Sequence, residues 1–324
     1  MLRRLLRILL VIVLVTVGGL IAFLYLAPET FTRLAVAAER SRAGLVRKEI
    51  VLPDGLRYAY LEGGQGEPLL LLHGFGANKD NFIRIAPYLT ARYRLIVPDH
   101  IGFAESSHNA QAGYGPDIQA ERLHALLLAL GIRGKVHVGG NSMGGLIALH
   151  YGLHYPQDTA SLWLLDPAGA TSAPPTEFLK AVAAGPKNPL LVGSTEDLAY
   201  LLSQAASKPP FIPRPMLAVF AQERIANQAL EKKILADLFK DRTEQRIAGM
   251  ALPTLIVWGD EDRLLAPAGA EILHRLLPNS QVAMMPDIGH MPMIEDPAAT
   301  AADFLRFASG LNSGLKDAPA AGTP

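Results

Sequence analysis

Two hydrophobic patterns divide the chain. From Ile8 to Ala27 twenty consecutive positions are uncharged and nearly all apolar; as a helix rising about 1.5 Å per residue the run spans about 30 Å, the thickness of bilayer hydrocarbon. After Pro28 the period becomes helical, with Phe31, Leu34, Ala35 and Ala38 on one face and Arg33, Arg40 and Arg42 elsewhere. That pattern fits either a helix lying at headgroup level or a solvated linker helix. From residue 45 short aliphatic runs alternate with amphipathic stretches, as in a sheet flanked by helices. Residues 46–52 and 56–62 read as an antiparallel pair turned at Pro53-Asp54-Gly55. Residues 69–72, 95–97, 136–138, 162–165, 255–258 and 282–285 read as buried parallel strands, and 117–130, 142–155, 267–277 and 297–309 as helices. Between 170 and 250 the alternation lapses into Pro-punctuated apolar helices over 198–205 and 216–235, an insertion placed to cap the sheet.

The expected organisation is a membrane anchor over 1–27, a juxtamembrane helix or linker over 28–44, and an α/β core over 45–170 and 248–310. A helical cap, or lid, occupies 171–247, and 311–324, rich in Gly, Ala, Pro and Ser, reads as a disordered tail. Thirty Lys and Arg balance thirty Asp and Glu, so no global basic field exists and nucleic acid is not an expected partner. Half the residues are hydrophobic and 19% charged, which excludes a disordered chain. With no cysteine, disulfide scaffolds, thiolate metal sites and a cysteine nucleophile are excluded.

The N-terminal run exceeds the roughly 7 to 15 apolar residues of a secretory signal. Leu24-Tyr25-Leu26-Ala27 is a poor small-x-small cleavage site, and the better match at Ala35 to Ala37 lies well past the run. An uncleaved anchor is therefore expected over a cleaved signal or a buried core helix. Arg3, Arg4 and Arg7 before the run are nearly matched by Arg33, Arg40 and Arg42 after it. A short tail with clustered positive charge stays cytoplasmic, which puts the body on the periplasmic or exoplasmic side.

Val136-His137-Val138-Gly139 leads into Gly140-Asn141-Ser142-Met143-Gly144, a G-x-S-x-G between strand and helix. In that context a sharp turn projects the Ser142 hydroxyl above the sheet, and the glycines permit close backbone approach. The bland alternative is a Gly-rich helix start capped by Ser142. Leu72-His73-Gly74-Phe75-Gly76 ends another strand in a turn that offers the Phe75 amide to an oxyanion, with the Met143 amide as the second donor. His73 itself reads as structural, bonding the loop. Among nine histidines, His290 alone combines a late post-strand loop with a preceding glycine, and Gly289 is expected to let the backbone approach the nucleophile. His150 and His154 lie on the helix opened by Ser142 and point elsewhere, while His124, His137 and His274 sit within other elements.

For the acid, Gly259-Asp260-Glu261-Asp262 supplies three carboxylates past a strand end, and Asp166 closes the strand before it. Asp262 is the choice, because a few residues beyond the strand let it turn back toward His290 in the chain order Ser, acid, His. Asp260 then shapes the turn and Asp166 caps the following loop. Asp99, in Pro98-Asp99-His100-Ile101-Gly102, reads as a turn residue tying two loops.

Over about residues 45 to 310 these pieces, in this order, resemble the α/β-hydrolases. They are His73-Gly74-Phe75-Gly76, Pro98-Asp99-x-x-Gly102, the Ser142 elbow, Gly259-x-x-Asp262 and Gly289-His290. With the anchor, the chain is similar to membrane-bound monoacylglycerol lipases and to bacterial inner-membrane phospholipases A with one N-terminal helix. The resemblance implies an α/β-hydrolase fold with a mostly parallel eight-stranded sheet, a helical cap and an N-terminal transmembrane helix. It also implies a membrane-bound serine carboxylic-ester hydrolase acting on lysophospholipid, phospholipid (A-type) or monoacylglycerol. The triad would be Ser142, Asp262 and His290, the oxyanion donors Phe75 and Met143, with no cofactor and no metal. Partners are then a lipid or acyl-ester substrate and the bilayer, with the inner membrane of a bacterium as the site; a homodimer through the anchor is left open. Substrate residues do not transfer, because caps vary, but the apolar side chains of 171–247 are candidates for an acyl tunnel. A small-molecule esterase, C–C bond hydrolase or serine peptidase would use the same triad; the anchor favours lipid esters. Haloalkane dehalogenases and epoxide hydrolases carry Asp where this chain has Ser142, and a non-enzymatic binding module would not need all five pieces.

Overall fold

The computed structural model describes residues 1–184, 188–238, 240 and 242–316, with backbone only for 312–316. Eight strands form one sheet: β1 (Val46–Val51), β2 (Arg57–Gly63), β3 (Glu67–Leu72), β4 (Tyr93–Pro98), β5 (Val136–Asn141), β6 (Thr159–Leu165), β7 (Thr254–Gly259) and β8 (Ser280–Met285). Their order is β1-β2-β4-β3-β5-β6-β7-β8. β2 runs antiparallel to both β1 and β4, and every other pairing is parallel. The unbroken leucines of β3 follow from a strand covered on both faces: Leu69 and Leu71 enter one core, Leu70 and Leu72 the other.

The N-terminal half carries α1 (Leu2–Leu26), α2 (Pro28–Arg42), α3 (Ala86–Leu89), α4 (Pro116–Ala129) and α5 (Met143–His154). Between β6 and β7 lie α6 (Glu177–Ala184), α7 (Thr195–Ala205), α8 (Arg214–Leu238) and α9 (Thr243–Ile247); α10 (Gly269–Leu276), α11 (Pro292–Glu295) and α12 (Pro297–Lys316) complete the chain. α4, α5 and α10 cover one face of the sheet, α3 and α12 the other, where Phe304 stacks on Trp163 at 4.4 Å between centroids. α12 runs beyond the expected stop at Ser309, so 311–316 of the expected tail are helical; 317–324 lie outside the described residues. None of α1 is buried, and its most apolar window has a mean hydropathy of 2.8. α2 by contrast packs on α8 and β1, buries Thr32, and pairs Arg40 with Asp80 through two 2.7 Å hydrogen bonds. The loops after β3, β5, β6, β7 and β8 therefore open on one carboxyl edge of the sheet, where such folds bind ligands.

Candidate active site

At the end of β5 the backbone turns sharply. Ser142 has φ 55° and ψ −117°, a left-handed conformation uncommon for a residue with a side chain. The turn survives because its neighbours have no Cβ: one at Gly140 would lie 2.3 Å from the Gly144 carbonyl, and one at Gly144 would lie 2.1 Å from the Leu72 oxygen. The Ser142 amide donates to Leu165 O (3.0 Å) and its carbonyl accepts from Ala168 N (2.9 Å). Although Ser142 occupies the N-cap position of α5, its side chain makes no capping hydrogen bond, which leaves the hydroxyl free.

The turn after β3 lies against this elbow. A Cβ at Gly74 would be 3.3 Å from the Ser142 Cβ, so Phe75 follows directly beside the hydroxyl. The Phe75 and Met143 amides have no hydrogen-bond partner among the described residues. His73 holds the turn: its Nδ1–H donates to Gly74 O (2.8 Å), and its Nε2 accepts from His100 N (3.0 Å). Burial keeps this imidazole neutral, pushing it down to about 4. Asp99 ties the same loops, accepting from Lys79 N, Lys79 Nζ and Glu105 N, as its turn position suggested. Arg224, on α8, lies 5.8 Å from the centre of the Phe75 ring and is anchored by Glu231 and Leu190 O.

His290 donates from Nδ1 to Asp262 Oδ2 at 2.7 Å, with both residues buried. Asp262 Oδ1 accepts from Leu264 N and Leu265 N, so the carboxylate is oriented by its own loop. Among the described residues the other ring nitrogen, Nε2, has no partner, and His290 and Ser142 line one cavity. Asp260 shapes the turn as expected, accepting from Asp287 N across the ends of β7 and β8.

Asp166 departs from expectation. It does not cap the loop that follows it: its Oδ1 accepts from Gly259 N (2.9 Å) at the end of the neighbouring strand. Its carboxyl, that of Asp262 and the His290 ring lie within 4.8 Å of one another. Full burial, then the Asp262 charge, hold Asp166 well above the usual carboxylate range.

The sequence did not reveal two further residues. Asn141, next to Ser142, donates to both Leu165 O (3.0 Å) and His290 O (2.9 Å), so one amide ties the elbow to the histidine loop. Glu295 accepts from Gly289 N and Met291 N on that loop, and from Ser207 N and Lys208 N after α7. His290 N also donates to Ala205 O. Gly289 accordingly admits the chain after α7, not the nucleophile: its Cβ would meet Ser207 N at 2.6 Å. A buried Asn inside G-x-S-x-G was the one signal available; Glu295 offered none.

A second cluster, Asp117 with His150 and His154, lies on α4 and α5. Arg246 donates two hydrogen bonds to the Asp117 carboxylate (2.7 and 2.9 Å), so a guanidinium already supplies the positive charge.

The cavity holding Ser142 and His290 has a volume of about 600 Å³. Aliphatic and aromatic side chains make one part of its wall, with Leu198, Leu201 and Leu202 of α7, Met216 and Phe220 of α8, and Val36 of α2; Glu39, Glu223, Arg224, Asn227 and Glu231 add a polar part.

Residues 67–297 match the profile of a family described as alpha/beta hydrolase fold. Lipase 3 of Moraxella sp. (strain TA144) is 46% identical over 88% of this chain and 93% of its own. A bovine monoacylglycerol lipase, ABHD6, is 28% identical over 77% of each. The crystal structure of a membrane phospholipase A superposes with a TM-score of 0.84 at 37% identity, covering 96% of this chain and 99% of that one. With the Ser142 elbow, the Asp262–His290 pair and these similarities together, the chain belongs to the α/β-hydrolase fold family, as a hydrolase of the lipase and phospholipase type.

Proposed function

We propose that this protein is a membrane-anchored serine ester hydrolase that cleaves the acyl esters of lysophospholipids, phospholipids (A-type) or monoacylglycerols. The observation that carries the reading is the single cavity joining Ser142 and His290 to an apolar wall from α2, α7 and α8, room for an acyl chain beside a nucleophile. His290 Nε2 takes the Ser142 proton as Oγ attacks the ester carbonyl, and the Phe75 and Met143 amides stabilise the oxyanion. Collapse expels the alcohol with a proton from His290, leaving an acyl-serine. Water activated by the same imidazole then releases the fatty acid and restores Ser142. Asp262 holds the ring in the Nδ1–H tautomer and supports its transient charge. α1 keeps the enzyme in the membrane, with residues 28–316 on the periplasmic or exoplasmic side and 171–247 as the cap. The names of the relatives support the lipid ester class.

The test is Ser142→Ala in the full chain, assayed with a short-chain ester and with phospholipid and monoacylglycerol substrates, beside serine-phosphonate labelling of the parent. Loss of all hydrolysis and labelling at Ser142 alone are expected. Labelling at another residue discards the assignment, and hydrolysis of the short ester without any lipid discards the substrate class.

A further inference from the structure

Beyond residue 27, Phe211 is the most exposed large apolar side chain among the described residues, at 91%. It stands in Lys208-Pro209-Pro210-Phe211-Ile212-Pro213-Arg214, between α7 and α8. This exposure does not arise from a loose tip. The Ser207 and Lys208 amides are held by Glu295, and three prolines fix φ along the segment. The mount keeps the ring turned outward, and with Pro210, Ile212 and Pro213 it makes a continuous apolar edge on the cavity.

The position identifies the cover. Phe211 lines the mouth of the same cavity as Val36 of α2. α8, which starts at Arg214, packs against α2 and touches α1, the unburied apolar helix. Exposed Lys208 flanks the ring on one side, and on the other exposed Arg214 is paired with Glu196 at 2.6 Å; this is a polar rim suited to a headgroup layer with an aromatic side chain entering beneath it.

Resting on the reading of α1 as a membrane anchor, we propose that residues 208–214 form a second membrane contact, with Phe211 inserted at the headgroup–acyl boundary of a phospholipid bilayer. The cavity mouth then sits on the lipid surface, and a lipid ester enters without crossing water. Phe211 acts as a positioning residue for the enzyme on its substrate surface.

Phe211→Trp in a Ser142→Ala chain tests this, because the native indoles Trp163 and Trp258 are 0% and 1% exposed and report nothing at the surface. The full chain is reconstituted into phosphatidylcholine/phosphatidylglycerol vesicles carrying bromines either high on the acyl chains or at their methyl ends. Expected are a blue-shifted emission and about twofold quenching by the high bromines, weaker quenching by the deep ones, and none in Ser142→Ala alone. In the active chain, Phe211→Ser should lower hydrolysis of vesicle lipid relative to that of a short-chain ester by about tenfold. Chains that sediment with vesicles while the introduced indole stays unquenched overturn the loop contact and leave the anchor standing. Chains left in the supernatant overturn both. A blue shift that grows with protein concentration and ignores bromine means that a second copy covers Phe211, and also overturns the proposal.

Discussion

Two buried aspartates lie beneath one histidine, and their hydrogen bonds tell them apart. Asp262 accepts from two backbone amides and the His290 N–H, whereas Asp166 accepts from one amide, and burial followed by the nearby Asp262 raises its pKa. Asp262→Asn should lower kcat by on the order of 10⁴, because an amide favours the wrong imidazole tautomer. Asp166→Asn should leave kcat nearly unchanged, since the amide reproduces a neutral acid that accepts from Gly259 N. The raised Asp166 ionisation also costs stability: the unfolded carboxyl ionises above about pH 4 while the folded one stays protonated, so stability is lost as pH rises from there. Asp166→Asn removes that loss. Its melting temperature should exceed the parent's at pH 7 and converge with it near pH 4; a lower melting temperature at pH 7 would mean that Asp166 is charged. The sequence favoured Asp262 over Asp166 as the partner of His290; that the two carboxyls meet was not legible, because they are 96 positions apart in number and come together where β6 and β7 are neighbours. The strand-to-helix elbow at Ser142 was legible because its glycines are a local steric demand.

The elements that hold the site are joined by side chains whose importance comes from tertiary contact. Strands β3 to β7 could be read directly, since burial on both faces writes itself as short aliphatic runs. The join between the histidine loop and the segment after α7 could not, because Glu295 sits on the short α11 and two of its four amide partners, Ser207 N and Lys208 N, lie 88 and 87 positions away. Glu295→Ala strands those donors, with a cost of about 1–3 kcal/mol for the buried ones. Chemical denaturation should show that loss. kcat should fall about tenfold or more, because the imidazole loses its fixed approach to Ser142. Asn141→Ala should act on kcat in the same direction from the elbow side, by freeing His290 O. If both variants change KM alone, these residues shape the cavity rather than the approach of the base.

At the scale of the molecule, the N-terminal forty residues divide into two parts with different tasks, which hydrophobic periodicity alone left open. α1 touches the body only near its end, where Phe23 meets Phe31 edge-on at 5.6 Å, and is otherwise bare. α2 belongs to the body: it supplies Ala35, Val36 and Glu39 to the cavity and ties Arg40 to Asp80 and Glu105. Its sequence read equally well as a linker because half its face is polar, and the acidic partners of Arg40 lie 40 and 65 positions away. Truncation therefore separates the two. A chain beginning at Pro28 should keep its activity on a soluble short-chain ester and lose hydrolysis of vesicle lipid, because only the local concentration of substrate surface has changed. A chain beginning at Gly44 should lose both, since it opens the cavity wall and leaves Asp80 without its guanidinium, and its melting temperature should fall with the activity. Equal activity of the two truncated chains on the soluble ester would show that α2 is dispensable to the site, and full vesicle activity from the Pro28 chain would show that α1 is not what brings the enzyme to lipid.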